Sequence, residues 1–466
     1  MTLRPVLAAA AALALVSPAP AADKPNIVFI LADDLGWTDL GVQGSKYYES
    51  PNIDRMAAGG LRFTSGYTCG PNCQPTRAAL MSGQYGPRTG VYTVGGIDRF
   101  NWRSRPLRPV DNVTQLPLDK VTLGQAMKSA GYATGYFGKW HLGQTGAHHP
   151  GKRGFDEAIT SMGKHFNFVT QPPVKYPPGT YLADFLCDKA VDFIRRHKDG
   201  PFYVELAHFA VHAPHEAKSD LIAHFKPKAP AGGHHDPVYA AMIASVDESV
   251  GRVLATLDEL HLAENTLVIF SSDNGGVGGY SREGIKRNQE EVTDNAPLRS
   301  GKGSLYEGGV RVPYVFRWPG HIPTGTVTDT PINSVDLYPT LLELAGGQPK
   351  PGYTLDGVSY VKLLTSGGTA DLGRDALYWH FPGYLGAGRD QWRTTPAGSV
   401  RRGDWKLLEF FEDMHVELYN LKDDVSEKHN LAQAKPELAK ELTEKLHTWR
   451  SAVGAKMPTA NTPGKH

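Results

Sequence analysis

Two short apolar runs stop abruptly in acid and amide. Asn26–Ala32 (NIVFILA) gives way to Asp33-Asp34, and residues 266–271 (TLVIFS) give way, past Ser272, to Asp273-Asn274-Gly275-Gly276. A continuous apolar run of this length, without polar alternation, suits a strand buried on both faces. Residues 133–137 (ATGYF) and Phe202–Ala207 (FYVELA) read the same way. Helical patterns lie between the runs, at 53–58, 122–130, 181–196 and 239–260. In the last of these Ile243, Val246, Val250, Val253 and Leu257 recur on one face. Strand-helix alternation predicts an α/β fold with a mostly parallel sheet flanked by helices. Such a sheet takes its ligands at the carboxyl ends of its strands. Both acidic strand ends therefore belong to one edge.

After Gly346-Gly347 the texture changes. Residues 405–411 (WKLLEFF) and 416–421 (VELYNL) flank a polar turn and predict an antiparallel hairpin. A helix from Pro436 follows, with Leu438, Leu442, Leu446 and Trp449 on one face. The expected organisation is a catalytic domain over 23–347 and a smaller α+β domain over 348–466. The Pro/Gly-rich stretches 171–179 and 226–237 read as surface loops.

The first 22 residues have a different purpose. Arg4, an apolar run from Val6 to Val16 and Ala19-Pro20-Ala21 form a secretory signal too short to span a bilayer. No cysteine follows it, which argues against a lipid anchor. The expectation is an exported protein, periplasmic or secreted, without a membrane anchor. A formal net charge of +1 gives no bulk attraction to nucleic acid. A bound anion needs local cations. The three cysteines, Cys69, Cys73 and Cys187, cannot all pair, so one is free, intermolecular or chemically altered.

An isolated Asp-Asp more often opens a turn than binds anything. Together, Asp33, Asp34, Asp273 and the Asn274 amide put three carboxylates and an amide oxygen on one sheet edge. Buried like charges need a cation. Oxygen-only ligands favour a hard ion, Ca²⁺ ahead of Mg²⁺. Two further strand ends carry basic groups, Lys139 and His141 after 133–137, and His208, His212 and His215 after Phe202–Ala207. Lys302 sits in the Gly-rich SGKGSLYEGG. Each alone would by default be a solvated edge residue; their joint placement at the predicted crevice is the argument.

In TCGPNCQPTR, Pro75 suits the first turn of a helix over 76–82 stopped by Gly83. Cys73 then precedes the helix N-terminus, where thiolates and anions are favoured. Arg77 projects near the same end and suits an oxyanion. A capped helix with an ordinary arginine and a Cys69–Cys73 disulfide remain open readings. A redox pair is the weakest, because the spacing is C-x₃-C.

Cys73-Gln74-Pro75-Thr76-Arg77 resembles the type I sulfatase signature, cysteine-x-proline-x-arginine. The likeness continues in order through NIVFILADDLGW, GYFGKWHLG, VHAPH, SSDNGG, GKGSLYEGGVRVP and the C-terminal GDWKLLEFFED and ELYNL. The resemblance implies an alkaline phosphatase-like hydrolase whose Cys73 is converted by a maturation enzyme to Cα-formylglycine, an aldehyde that hydrates to a diol. It implies Asp33, Asp34, Asp273 and Asn274 as Ca²⁺ ligands, completed by the residue at Cys73. It implies that Arg77 braces the modified residue, Lys139 holds the sulfate and His141 acts on the diol. His212 and Lys302 would lie near the bridging oxygen, one of them returning a proton to the leaving alcohol. Gln74 and Thr76 depart from the small residue and serine commoner in the signature, and Cys69 adds a thiol that could compete by pairing.

The implied activity is removal of sulfate from a sulfated carbohydrate. The alternatives are a phosphate or phosphonate ester hydrolase of the same superfamily and an inactive sulfoglycan-binding relative. Asp273-Asn274-Gly275 stands where two-metal relatives show Asp-His-Gly, which argues for one metal and for sulfate. His380 and Arg401 (beside Arg402) are expected sugar contacts from the C-terminal domain, and His148-His149 is expected in a surface loop.

Overall fold

The computed structural model describes residues 24–286, 290–388 and 391–461. The segment over 1–22 that is expected to be a signal lies outside them. Eight strands form the main sheet: β1 (Asn26–Ala32), β2 (Leu61–Phe63), β3 (Ala133–Gly138), β4 (Glu157–Thr160), β5 (Phe202–Ala207), β6 (Thr266–Ser272), β7 (Tyr314–Arg317) and β8 (Thr326–Thr328). Their order is β8-β2-β7-β6-β1-β5-β3-β4. From β6 through β4 every pairing is parallel. β7 runs antiparallel to both β6 and β2, so the sheet is mixed at one side.

The strand period of two explains the layers. Val28 and Ile30 of β1 face a core shared with helices α1 (Pro51–Ala58), α4 (Leu182–Arg196) and α5 (Pro237–Glu259). Ile27, Phe29 and Leu31 face the other layer, which takes in α2 (Cys73–Ser82), α3 (Leu123–Ser129) and α6 (Leu337–Leu344). Helices on both faces leave the carboxyl edge as the accessible end of the central strands.

The C-terminal sheet is antiparallel, β9 (Leu377–Phe381), β10 (Ala397–Arg402), β11 (Trp405–Phe410) and β12 (Val416–Asn420), paired in that order. Helix α7 (Pro436–Ala452) covers one face through Leu442 and Leu446, which pack on Val400, Leu407 and Leu418. The opposite face, with Trp379, Phe381 and Leu408, packs on Tyr67, Leu305 and Val310 from the larger part of the chain. Tyr360, Leu363 and Leu364 join the core beside β1, so residues after 347 also pack against the main sheet. No helix among the described residues is long and apolar enough to cross a membrane.

Candidate active site

The residues that immediately follow four adjacent strands meet at one place. Asp33 follows β1, Lys139 follows β3, His208 follows β5 and Asp273 follows β6. The register fixes their level, since Ala32 pairs with Ser272 and Gly138 with Ala207. Gly138 lets β3 turn here: its φ is +131°, and a Cβ would stand 1.7 Å from the Ala207 carbonyl oxygen. Asp34 and His141 adopt left-handed backbone at φ +64° and +61°, and Ser300, two residues before Lys302, adopts +64°. Strain of this kind gathers at sites where side-chain direction matters.

Helix α2 enters the same edge. It starts at Cys73, three residues earlier than the sequence suggests, with Asn72 as N-cap and Gly83 ending it at φ +65°. All its residues are buried, Cys73 being 2% exposed. Burial pushes the Cys73 thiol up, which corrects the expectation of a helix-stabilised thiolate. All three cysteines are free. Cys69 donates to Asn333 Oδ1 at 2.6 Å, and Cys187 lies in the core of α4. Neither a Cys69–Cys73 nor a Cys69–Cys187 bridge is present.

Around Cys73 stand three carboxylates and three cations. Arg77 donates through Nε to Asp273 Oδ2 at 2.8 Å and through Nη1 to the Lys139 carbonyl at 2.5 Å. Lys139 Nζ lies 2.5 Å from Asp33 Oδ2, and Lys302 Nζ lies 2.6 and 2.7 Å from the two Asp34 oxygens. Asn274 Nδ2 donates to Asp34 Oδ1 at 2.9 Å. Burial raises Asp33 above its ordinary range despite Lys139, and lifts Asp273 to about 6. Burial also works to raise Asp34, but Lys302, His212 and Lys139 together hold it low. Asp34 in turn carries the Lys302 ammonium above its usual range, against the effect of burial.

This set fits a hard divalent cation. Asp33 Oδ1 and Asn274 Oδ1 are buried acceptors with no hydrogen-bond partner. Carboxylate oxygens of Asp33 and Asp273 lie with the Cys73 sulfur within 4.8 Å of one another. The protein's own charges balance here, so an added divalent ion leaves the pocket net positive, as an anionic ester requires.

The histidines divide by role. Burial, then the Lys139, Arg77 and Lys302 charges, push His141 down to about 2, so its ring is neutral. Burial likewise brings His212 to about 4. His212 Nδ1 donates to the Ala213 carbonyl at 2.6 Å, leaving Nε2 as the acceptor nitrogen, 3.7 Å from Asp34 Oδ2. The sequence alone did not single out His165. Its Nε2 donates to the His212 carbonyl at 2.8 Å, and its ring stacks on Phe209, which also stacks on His212. His165 therefore fixes both the backbone and the ring of His212. His208, fully buried, has neither ring nitrogen hydrogen-bonded, and burial drops it to about 3.

His380 and Arg401 are not brought to this cluster. Each is buried and committed to the C-terminal sheet's packing. His380 Nε2 donates to the Lys456 carbonyl at 2.8 Å, and Arg401 donates to the Tyr67 hydroxyl and the Gly403 carbonyl. The C-terminal part reaches the site elsewhere, through the strand pair Leu385–Gly388 and Gln391–Thr394. Arg393 donates to the carbonyls of Lys302 and Gly278, and Leu385 packs over Gly303. His148 and His149 are tied to the Leu116 and Gln171 carbonyls, on the loop after His141.

Comparison with known proteins agrees with this geometry. Residues 25–347 match the family model described as Sulfatase, and residues 301–452 match N-sulphoglucosamine sulphohydrolase, C-terminal. A Sulfatase of Formosa agariphila is 36% identical, over 91% of this chain and 88% of that protein. The N-acetylgalactosamine-6-sulfatase of Homo sapiens is 34% identical, over 75% of this chain and 68% of that protein. The crystal structure of Ps i-CgsB in complex with k-i-k-neocarrahexaose superimposes with a TM-score of 0.77 at 30% identity, covering 95% of this chain and 94% of that one.

Proposed function

The chain belongs to the sulfatase family, and we propose that it removes sulfate from a sulfated carbohydrate with a formylglycine made from Cys73 and one Ca²⁺. The observation that carries this reading is the placement of Cys73 at the head of α2, within 4.8 Å of the Asp33 and Asp273 carboxylates. Arg77, Lys139 and Lys302 are bound to the same carboxylate cluster. The carbohydrate class is supported by Ps i-CgsB, whose complex holds k-i-k-neocarrahexaose, and by the N-acetylgalactosamine-6-sulfatases. Export by the first 22 residues, and conversion of Cys73 by a maturation enzyme, complete the proposal.

Asp33, Asp34, Asp273 and Asn274 would hold Ca²⁺, which supplies positive charge for the sulfate oxygens. The hydrated aldehyde supplies two hydroxyls on one carbon, one to accept the sulfuryl group and one to drive its release. The protein's side chains do the rest. Lys139 and Lys302 hold the anionic oxygens as charge shifts toward the leaving group. Arg77, braced by Asp273, keeps the head of α2 in line. His141, buried at the cluster and without a partner at Nδ1, takes the proton whose loss releases sulfate. The leaving alcohol takes its proton from Lys302 or His212, which both stand against Asp34.

The test is a desulfation screen over defined sulfated glycans, using protein made with and without a formylglycine-generating enzyme. Turnover should require that enzyme, with a matching mass change in the Cys73 peptide. Equal turnover with an intact Cys73 thiol would sink the proposal. Parallel phosphate and phosphonate esters should be poor substrates.

A further inference from the structure

The segment that carries Lys139 and His141 does not end at the site. It runs on through residues 146–153, of which Gly146, Ala147, His149, Lys152 and Arg153 line a cavity of about 710 Å³ together with Leu118, Gln125, Gln171 and Pro172. That volume is in the range of ligand pockets, about 300–1,000 Å³. Its place follows from register. Gly138 of β3 pairs with Thr160 of β4, and Thr160 exchanges both backbone hydrogen bonds with Gln171. Gln171 therefore lies level with the carboxyl end of β3, two strand spacings or about 10 Å to the side.

The lining has a definite sign. Its charged groups are Lys152 and Arg153, beside the amides of Gln125 and Gln171; His149 is neutral, its Nε2 donating to the Gln171 carbonyl and its Nδ1 accepting from the Gly151 amide, and no acidic residue lines it. Arg153 is 2% exposed and binds only carbonyls, those of Leu116, Pro117 and Lys120. Its Nε is buried with no hydrogen-bond partner. Lys152 is exposed and has no carboxylate partner among the described residues. The cations just behind the same loop, Lys128 and Arg196, are paired with Asp156 and Glu157. Positive charge left unneutralised in a concave site beside the reactive edge calls for an anionic ligand.

We infer that this cavity is a second subsite, which holds a further sulfate-bearing sugar of the glycan while the ester to be cleaved sits at Cys73. The inference rests on the sulfated-carbohydrate reading and narrows it to a polyanionic oligomer rather than a singly sulfated sugar. Lys152 supplies the adjustable charge, Arg153 the fixed one, and the Gln125 and Gln171 amides flank them.

The test uses the full chain as Cys73→Ala, so that binding is read without turnover. Carrageenan-derived and chondroitin sulfate hexasaccharides are titrated calorimetrically, with a monosulfated monosaccharide as the short probe. Lys152→Glu should weaken the better hexasaccharide roughly tenfold, leave the monosaccharide within about twofold, and Lys152→Arg should restore binding. Equal weakening of long and short probes, or of neither, overturns the inference, as does failure of both hexasaccharides to bind. Failure of the catalytic proposal shows separately, as a matured wild-type protein that binds a hexasaccharide and never desulfates it.

Discussion

The molecule buries two clusters of opposite charge, and they are finished differently. Between the main and C-terminal sheets, Lys406 Nζ lies 2.8 Å from Glu307 and 3.0 Å from Glu427, all fully buried. Glu307 also accepts from the Tyr67 hydroxyl at 2.6 Å and from Arg311 at 3.3 Å, and Glu427 accepts from the Glu307 amide at 2.6 Å. Each carboxylate there has its cation inside the protein, and even Glu427 Oε1, which accepts no hydrogen bond, lies 3.0 Å from Lys406 Nζ. At the carboxyl edge, by contrast, Asp33 Oδ1, Asn274 Oδ1 and His141 Nδ1 have no partner. The first cluster spends its charges on joining two sheets. The second keeps acceptors in reserve, which is how a folded protein prepares to bind something it does not itself contain.

The sharpest way to break this contrast is Cys73→Ala. Turnover should fall on the order of 10³-fold or more, because the nucleophile is gone. The melting temperature should stay within a few degrees, because only one small buried group is lost. A large drop in stability with residual turnover would move Cys73 into the structural class. Lys406→Met should do the opposite. It strands Glu307 and Glu427 without their shared cation and should cost about 3–5 kcal/mol in denaturant unfolding. kcat per folded molecule should change little, and a selective loss of kcat would make the interface cluster part of catalysis.

His165→Ala asks where the reactive region stops. Loss of its bond to the His212 carbonyl should lower kcat by roughly 10–100-fold, the usual cost of removing an orienting partner. KM should move less, and His165→Gln, which keeps a donor, should recover part of the rate. The remaining test touches stability alone and concerns His380, which burial holds near 4 against 6.5 for a free imidazole. Below pH 6.5 the unfolded chain takes a proton that the folded chain refuses. Stability from this group is therefore present above 6.5 and falls as pH drops toward 4, by about 1.4 kcal/mol per unit. His380→Gln should flatten the acid limb of the stability curve by one proton and leave the pH profile of kcat in place.

The central strands were legible because a strand buried on both faces has to be apolar throughout, and Asp33 and Asp273 were legible as the points where that rule stops. The short strands β2, β4, β7 and β8 escape a sequence reading, since three or four residues carry too little pattern wherever in the sheet they lie. His165 left no local sign: it comes from a loop, and only the fold brings it beneath His212. His380 and Arg401, expected as sugar contacts, both turn inward, to the Lys456 carbonyl and the Tyr67 hydroxyl. The C-terminal region does adjoin Lys302, but through Arg393 and Leu385. No spacing rule links those residues to a loop some 90 positions earlier.

One earlier detail sets a clock. Cys73 is 2% exposed, in a helix whose every residue is buried. A separate protein that alters this thiol has to reach it before α2 docks, because afterwards the sulfur offers no surface to another active site. On the proposed conversion of Cys73, the alteration would be decided once in the life of each molecule. A purified sample would then be a census of two populations, finished and unfinished, that share one fold and do not interconvert. Its specific activity would measure how the race between folding and modification was run, as much as how well the site works.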